Sequence, residues 1–302
     1  MSRLAVRAEL IKLARVLGTE PRHLEFLDGL SPDTLRGLRE QVSASLYDRQ
    51  MLVLKRIAAA SRLLPVPLLA VIAEKVFGPL LCARVAGFIA PERAIDIATR
   101  LPTPFLTDVT IELDPRRAAD LVASFPVERV VEIALILIER GEYVTMGRFV
   151  DVLRKSAVEA VLKKVKDDAA LLRTAFMIES QVKLNQVVGL LPEKRLREII
   201  QAAAASNDDL WPEALSLMAG VDPRLQRRLG ELVADMDEDV ISGMVRSAQR
   251  NDLWPLLLPF LELLSEKSLQ RLMRLAGSAE AMRQLDRGTQ RYIEKMLAQV
   301  GT

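Results

Sequence analysis

Histidine and cysteine are almost missing from this chain: among 302 residues there is one of each, His23 and Cys82. A lone cysteine cannot close an internal disulfide, which fits a reducing compartment and leads to the expectation of a cytoplasmic protein. One imidazole and one thiol also cannot assemble a zinc cluster of those ligands within one chain. Charge of one sign is lacking as well, with 42 Lys and Arg against 40 Asp and Glu. Dedicated nucleic-acid binders carry a basic excess on one face, so no nucleic-acid partner is expected. The first 62 residues are mildly basic, with 11 Lys and Arg against 7 Asp and Glu. Aromatic residues make up only 4%. Long alternating apolar–polar runs and Asn-Gly hairpin turns are absent, which argues against strands. Near the N-terminus Arg7, Glu9 and Lys12 interrupt any apolar run, so no secretory signal is read there. Leu4, Leu10, Ile11, Ala14 and Leu17 instead follow the spacing of an amphipathic helix.

What is abundant is Leu, Val, Ile and Ala within a composition that is 50% hydrophobic. Leu and Ala favour helix, and prolines punctuate the chain. Ten of the fifteen stand at 21 and 32, at 91, 102, 115 and 126, and at 192, 212, 223 and 255. Proline is tolerated in the first turn of a helix, where its missing N–H had no intrahelical partner. Ser31, Thr103, Asp114 and Asp222 each precede a proline and are candidate caps for the orphan N–H groups at helix starts. After the prolines an apolar stripe recurs at helical spacing: Leu35 and Leu38, Ala94 and Ile97, Ala118 and Leu121, Leu196 and Ile199. The spacing predicts short helices over 92–100, 104–112, 115–124 and 127–139. Two such helices form a unit of roughly twenty-four residues, within the period range of helical solenoids.

The C-terminal half repeats on a longer step. Asp209, Leu210, Trp211 and Pro212 recur 43 residues later as Asp252, Leu253, Trp254 and Pro255. Leu225, Gln226 and Arg227 recur as Leu269, Gln270 and Arg271, and a fainter copy starts at Tyr143, with Phe149 matching Phe260. The expected fold is therefore all-α: a right-handed solenoid of short helix pairs over 86–302, preceded by a helical subdomain over 1–85. Residues 63–90 stand apart. They are too apolar for an ordinary surface helix, yet Glu74, Lys75, Arg84 and the Gly78-Pro79 pair interrupt the roughly 20 residues that a membrane span needs. A helix apolar on all sides is usually buried, so a buried helix pair is expected.

The stretch 89–126 holds Ala90-Pro91-Glu92-Arg93-Ala94, Leu101-Pro102-Thr103-Pro104 and Leu113-Asp114-Pro115-Arg116-Arg117-Ala118. This pattern resembles the intracellular N-terminal domain of MgtE-type magnesium transporters, over about residues 85–139. The resemblance implies an architecture, short helices opened by Leu-Asp-Pro or Leu-Pro elements and stacked into a right-handed superhelix. It implies no ion-binding residues, because neither CBS-like strands nor membrane-spanning helices follow in this sequence.

Candidate chemistry is sparse. His23 has no Ser or Cys nucleophile motif beside it, so it reads as a surface histidine. Asp235, Asp237, Glu238 and Asp239 lack the calcium-loop spacing and its central Gly, and read as charges favouring a helix start. Asp108, Glu112, Asp114 and Asp120 offer paired carboxylates, but Arg116 and Arg117 lie beside them and a salt-bridged face is the simpler reading. Lys163, Lys164 and Lys166, and Arg224, Arg227 and Arg228, lack the interleaved aromatics of a base-stacking platform and read as solvated faces. Trp211 and Trp254, with Tyr143, serve either as repeat core or as exposed anchors for a partner.

The function these features point to is a non-enzymatic binding or scaffold protein that offers a concave helical surface to a protein partner. The second reading is a carrier or sensor of a lipid-like small molecule. Its cavity would be lined by Leu64, Val66, Leu69, Ile72, Phe77, Leu80, Leu81 and Phe88. Peripheral contact with a membrane through the same segment is a third use of it. No metal and no cofactor is expected.

Overall fold

A computed structural model of the chain describes residues 3–48, 51–206, 210–251, 253–254, 257, 261–276 and 291. Among them the regular elements are helical and there is no strand, as the composition and proline pattern lead one to expect. Two compact units are distinguished. The first holds Arg3–Lys166 and Met177–Glu179; the second holds Asp167–Phe176 and Ser180–Thr302. Residue 85 lies inside the first unit.

The first unit contains α1 (Arg3–Leu17), a 3-10 turn (Pro21–Leu27), α2 (Pro32–Asp48), α3 (Met51–Ser61) and α4 (Val66–Ile72). A π-helical turn (Ala73–Phe77) leads into α5 (Gly78–Ala86). Then come α6 (Pro91–Ala98), α7 (Thr103–Glu112), α8 (Ala119–Ser124), α9 (Val127–Glu139), α10 (Tyr143–Val150) and α11 (Lys155–Lys164). The second unit contains α12 (Asp168–Phe176), α13 (Gln181–Leu190), α14 (Glu193–Ala205), α15 (Trp211–Gly220), α16 (Pro223–Ala234), α17 (Glu238–Arg250) and α18 (Glu266–Ala276). Within each unit a helix packs repeatedly on the helix two places along. In the first unit α3 meets α5, α4 meets α6, α5 meets α7, α6 meets α8, α7 meets α9 and α9 meets α11. In the second, α12 meets α14, α14 meets α16 and α15 meets α17.

The prolines open helices as anticipated. Pro32, Pro91 and Pro223 are the first helical residues of α2, α6 and α16. Pro65, Pro102, Pro126 and Pro192 hold the cap position before α4, α7, α9 and α14 in extended conformation. Asp222 caps α16 by accepting from Leu225 N–H at 2.9 Å, and Ser31 accepts from Thr34 N–H at 3.1 Å. One expected helix is corrected. Residues 115–118 form turns, and α8 begins only at Ala119. Asp114 is the cause: its Oδ1 accepts from Arg116 N–H at 3.1 Å and its carbonyl accepts from Arg117 and Ala118, closing the chain into a turn there. Thr103 does not cap; it is already inside α7, and its hydroxyl bonds Glu132.

A recurring arginine contact holds the helix layers together. Arg93 donates to the carbonyl of Leu64 at 2.6 Å, Arg129 to Leu101 at 2.7 Å, and Arg154 to Phe125 at 3.0 Å. In the second unit Arg228 donates to Leu191 at 2.9 Å and Arg271 to Met236 at 2.7 Å. Four of these five carbonyls belong to the residue directly before a proline: Leu64, Leu101, Phe125 and Leu191. A residue before proline is pushed out of the helical region, so the carbonyl there has no helical partner, and the guanidinium supplies one. Arg129 also donates to Thr103 Oγ1 at 2.6 Å and Glu132 Oε2 at 2.8 Å. Arg129→Met is expected to destabilise the chain by about 1.5–3 kcal/mol, the range for hydrogen bonds to charged groups. Arg129→Lys should restore less than half of that, because an ammonium cannot span the same fork of acceptors. Urea unfolding followed by circular dichroism measures both; a midpoint unmoved by Arg129→Met would remove the contact as a structural clasp.

The apolar stripes pack where the periodicity puts them. Leu35 is fully buried against Val6, Leu10, Leu13, Ala14 and Leu24. Ala94, Ala118 and Leu196 are buried, and Ile97 and Leu121 lie partly buried against neighbouring clusters. In the second unit Leu210 and Leu253 are buried alike, as are Trp211 and Trp254, and Leu225 and Leu269, so the repeated positions take equivalent roles. The residues Asp209, Asp252, Pro255 and Phe260 of that repeat lie outside the described residues. Expectation fails at 63–90. Leu69, Ala70, Ala73, Ala83 and Val85 are buried, but Leu63, Leu68, Val71, Val76 and Leu80 are exposed. The segment therefore has one core face and one open face, and the helix pair is not buried all round.

Candidate functional site

The first unit contains a cavity of about 740 Å³ bordered by α1, α2, α5, the 113–118 turns, α10 and Glu179. Among the described residues seven cations border it: Lys12, Arg15, Arg39, Arg84, Arg116, Arg117 and Arg148. Five carboxylates face them: Glu40, Glu112, Asp114, Asp151 and Glu179. The lining is thus charged with both signs and has a small cationic excess.

Its floor is a buried ion network. On α1, Leu10, Leu13 and Ala14 face α2, while Glu9 and Lys12 lie beside them and are buried as well. Lys12 Nζ donates to Glu9 Oε1 at 3.1 Å. Arg36 and Arg39, three apart on α2, reach the same carboxylate: Arg36 at 3.5 Å and Arg39 Nε at 3.3 Å. Glu179 approaches from the Met177–Glu179 segment and stands 2.9 Å from an Arg39 terminal nitrogen and 3.6 Å from Lys12 Nζ. Its other oxygen accepts from Arg116, which also donates to Glu40 at 2.9 Å. Several of these contacts are close but poorly aligned. Arg39 Nε, its terminal nitrogen and Glu179 Oε1 are within ion-pair distance of their partners without hydrogen-bond geometry. Coulomb attraction in a dry site therefore does more here than hydrogen bonding does.

Burial pushes the Glu179 carboxyl up, but Lys12, Arg39 and Arg116 outweigh it and hold the group below its ordinary value. Burial pulls the Arg148 guanidinium down, with Asp114 opposing and Arg39 adding to the pull. Burial also acts to lower Arg116, yet the bond to Glu40 and the charges of Glu179 and Asp114 raise it overall. Glu179, held below its ordinary value, is consequently ionised at neutral pH. A guanidinium has no acceptor and an ionised Glu179 has no proton to give, so the floor is suited to electrostatic recognition rather than proton transfer.

Two glycines close helices beside the cavity, and Gly18 borders it. Gly18 and Gly141, at φ 65° and 71°, close α1 and α9 in left-handed conformation. Beyond Gly141, Glu142 N–H bonds back to Leu137 O at 2.8 Å, the six-to-one closure of a helix C-terminus. That turn brings Glu142 to Arg15 at 2.8 Å.

The residues singled out in the sequence fall differently. Of the eight proposed apolar lining residues only Leu80 borders this cavity. Leu64, Phe77 and Leu80 are exposed, Leu69 is buried, Val66 and Ile72 are half-buried, and Leu81 and Phe88 pack on Leu54, Ala58 and Val85. Tyr143 is half-buried at the start of α10. Trp211 and Trp254 are buried, which removes them as exposed anchors; a Cβ on Gly243 would stand 3.4 Å from the Trp211 indole nitrogen. Asp108 pairs with Arg140, Asp114 with Arg117 and Arg148, and Asp120 is exposed, so these carboxylates do not converge. Asp235 pairs with Arg197, and Glu238 and Asp239 lie in the first turn of α17. Among the described residues no group of three His, Cys, Asp or Glu is arranged to hold a metal ion. Arg228, read as part of a solvated face, instead clasps Leu191 O. His23 is exposed, its Nδ1 2.9 Å from Thr19 Oγ1. The Cys82 thiol is half-buried and donates to Ala73 O at 3.5 Å; burial pushes it up to about 11, partly opposed by a hydrogen bond from its own backbone. It is protonated at neutral pH and a poor nucleophile.

Sequence reasoning missed the network itself. Glu9 and Lys12 read as the wet side of an amphipathic helix, and nothing near them in sequence announces Arg39, Arg116 or Glu179. The three-residue spacings of Glu9 with Lys12 and of Arg36 with Arg39 are the available hint. No protein-family model matches the chain, and no curated protein or solved structure is significantly similar to it.

Proposed function

We propose that this chain is a non-enzymatic helical-repeat protein that holds a protein partner, with the charged cleft of the first unit as its recognition site. Each unit is a stack of short helix pairs in this reading, akin in architecture to the helical N-domain of MgtE-type transporters. Two regularities support the stack: helices meet the neighbour two places along, and the arginine-to-carbonyl clasp recurs in both units. The observation that carries the recognition site is the buried Glu9–Lys12–Arg39–Glu179 network beneath an open, mixed-charge rim. Such a floor is buried and charge-paired before any partner arrives, so little reorganisation accompanies binding. Its mixed charge suits a polar segment carrying both signs, and complementary charge gives register and selectivity more than raw affinity.

The test uses Glu112, an exposed residue on the rim. A photocrosslinking amino acid at that position, activated in cells, should give a discrete protein-sized adduct. Arg117→Glu, another exposed rim change, should suppress that adduct at least about tenfold if charge register matters. An adduct of small-molecule mass, or none, would overturn the reading.

A further inference from the structure

The apolar surface of this protein is concentrated in one stretch. Thirteen large hydrophobic side chains are exposed among the described residues, and nine of them lie in residues 52–80. Leu63 is 85% exposed, Leu52 75% and Val76 72%. Leu68 and Val71, three apart, share the outward face of α4, while Leu69, Ala70 and Ala73 turn to the core. Phe77 and Leu80 flank the backbone break at Gly78, which takes φ 70° and ψ 172° before Pro79. Soluble chains scatter exposed apolar residues singly; a concentration of them marks a contact surface.

The charge within that stretch identifies what it contacts. Residues 52–80 contain four cations, Lys55, Arg56, Arg62 and Lys75, and one carboxylate, Glu74. Lys75 folds onto Glu74 at 2.8 Å, which leaves exposed Lys55, Arg56 and Arg62 as the excess. We propose that this open face docks the protein on an anionic lipid surface, with Leu63, Leu68, Val71 and Val76 in the acyl boundary and Arg56 and Arg62 at the headgroups. Long basic side chains bury their stems and keep their charges at the phosphates, and an apolar face ringed by them is the chemistry of an interfacial helix. Crossing the bilayer is disfavoured. Val66–Ala86 is long and apolar enough by composition, at mean hydropathy 1.8. It is nevertheless bent at Gly78, with the π-helical turn packed on α5, and Glu74 and Lys75 would sit near its centre. This surface is distinct from the cleft floor and does not depend on the partner assigned there.

The full chain is sedimented with vesicles of phosphatidylcholine alone and of phosphatidylcholine with phosphatidylserine. Pelleting with the anionic vesicles, weakened by salt, is expected. Leu63→Glu with Val76→Glu changes the two most exposed sites of the loop and the π-helical turn, and should lower partitioning at least about tenfold. Arg56→Glu with Arg62→Glu should lower it by a similar factor. Circular dichroism confirms that each variant is folded, and the arginine pair serves as the test if the apolar pair is not. Protein left in the supernatant overturns the proposal. So does pelleting that neither variant weakens, or a wild-type dimer that Leu63→Glu with Val76→Glu dissociates without any vesicle binding, which would assign the face to a second copy.

Discussion

Glu179→Ala is expected to destabilise the first unit by about 3–5 kcal/mol, the range for removing one partner from a buried ion pair. Four charges of this network are shielded from water: Glu9, Lys12, Arg39 and the Glu179 side chain. They balance as two anions and two cations. Deleting Glu179 leaves Lys12 and Arg39 to share Glu9 with Arg36, and the Arg116 guanidinium loses one of its two ion-pair carboxylates among the described residues and keeps Glu40. The penalty is the uncompensated charge, so restoring balance should restore stability. Lys12→Met combined with Glu179→Leu is expected to recover most of the loss, since apolar replacement of a whole buried pair is often neutral or better. Denaturant unfolding followed by circular dichroism reads both. Tryptophan emission is the wrong probe, because Trp211 and Trp254 both belong to the second unit. A loss below about 1 kcal/mol for Glu179→Ala would mean that the network behaves like a wet surface pair.

The same carboxylate gives the protein an acid limit. Its value in the folded chain lies below the 4.5 of a free glutamate. Between those two values the unfolded chain binds more protons than the folded one, so stability rises with pH there. The contribution of Glu179 is complete above about pH 4.5 and is lost as the pH falls through the depressed folded value. Glu179→Gln should therefore be the less stable protein at pH 7 and should lose less on acidification. Parallel pH profiles for the two proteins would refute the assignment.

Gly147→Ala has the second large effect, and it acts on the same network through the backbone. Gly147 is buried in α10, and an added Cβ would stand 2.6 Å from Met177 Cβ, 2.7 Å from its carbonyl carbon and 2.8 Å from its carbonyl oxygen. Two of those three atoms are backbone, so no rotamer change relieves the clash. Met177–Glu179 must move away, and Glu179 with it. Overpacking of this kind costs about 1–3 kcal/mol. The gain in helix propensity from Gly to Ala, roughly 1 kcal/mol, offsets part of it. Gly147→Leu removes that ambiguity and should be worse. A diagnostic follows from the shared cause: Gly147→Ala and Glu179→Ala should be clearly less than additive when combined, because each already displaces the same contact. Full additivity would separate the glycine from the ion network.

The class of fold and the places where helices begin were legible in the residues. Pro91, Pro126 and Pro223, with caps such as Ser31 and Asp222, act on their own helix and need no distant partner. Where a local signal misled, another local group had overridden it: Asp114 spends its side chain and carbonyl on a turn, and α8 starts late. The apolar stripes at Leu35, Ala94 and Leu196 were legible for the same reason, since periodicity states which face a helix buries.

Which charges meet was not legible, and neither was which apolar residues stay wet. Glu9, Arg39, Arg116 and Glu179 come from four separate segments, and pairing between them depends on distance in space, to which sequence spacing gives no guide. Leu63, Val71 and Val76 carry the same hydrophobicity as Leu69 and Val85, yet the first three are exposed and the last two buried. Hydrophobicity belongs to the side chain, whereas burial belongs to the neighbours that cover it. Helix starts are set within a turn of the chain; the cleft and the open apolar face exist only once helices far apart in sequence have been packed.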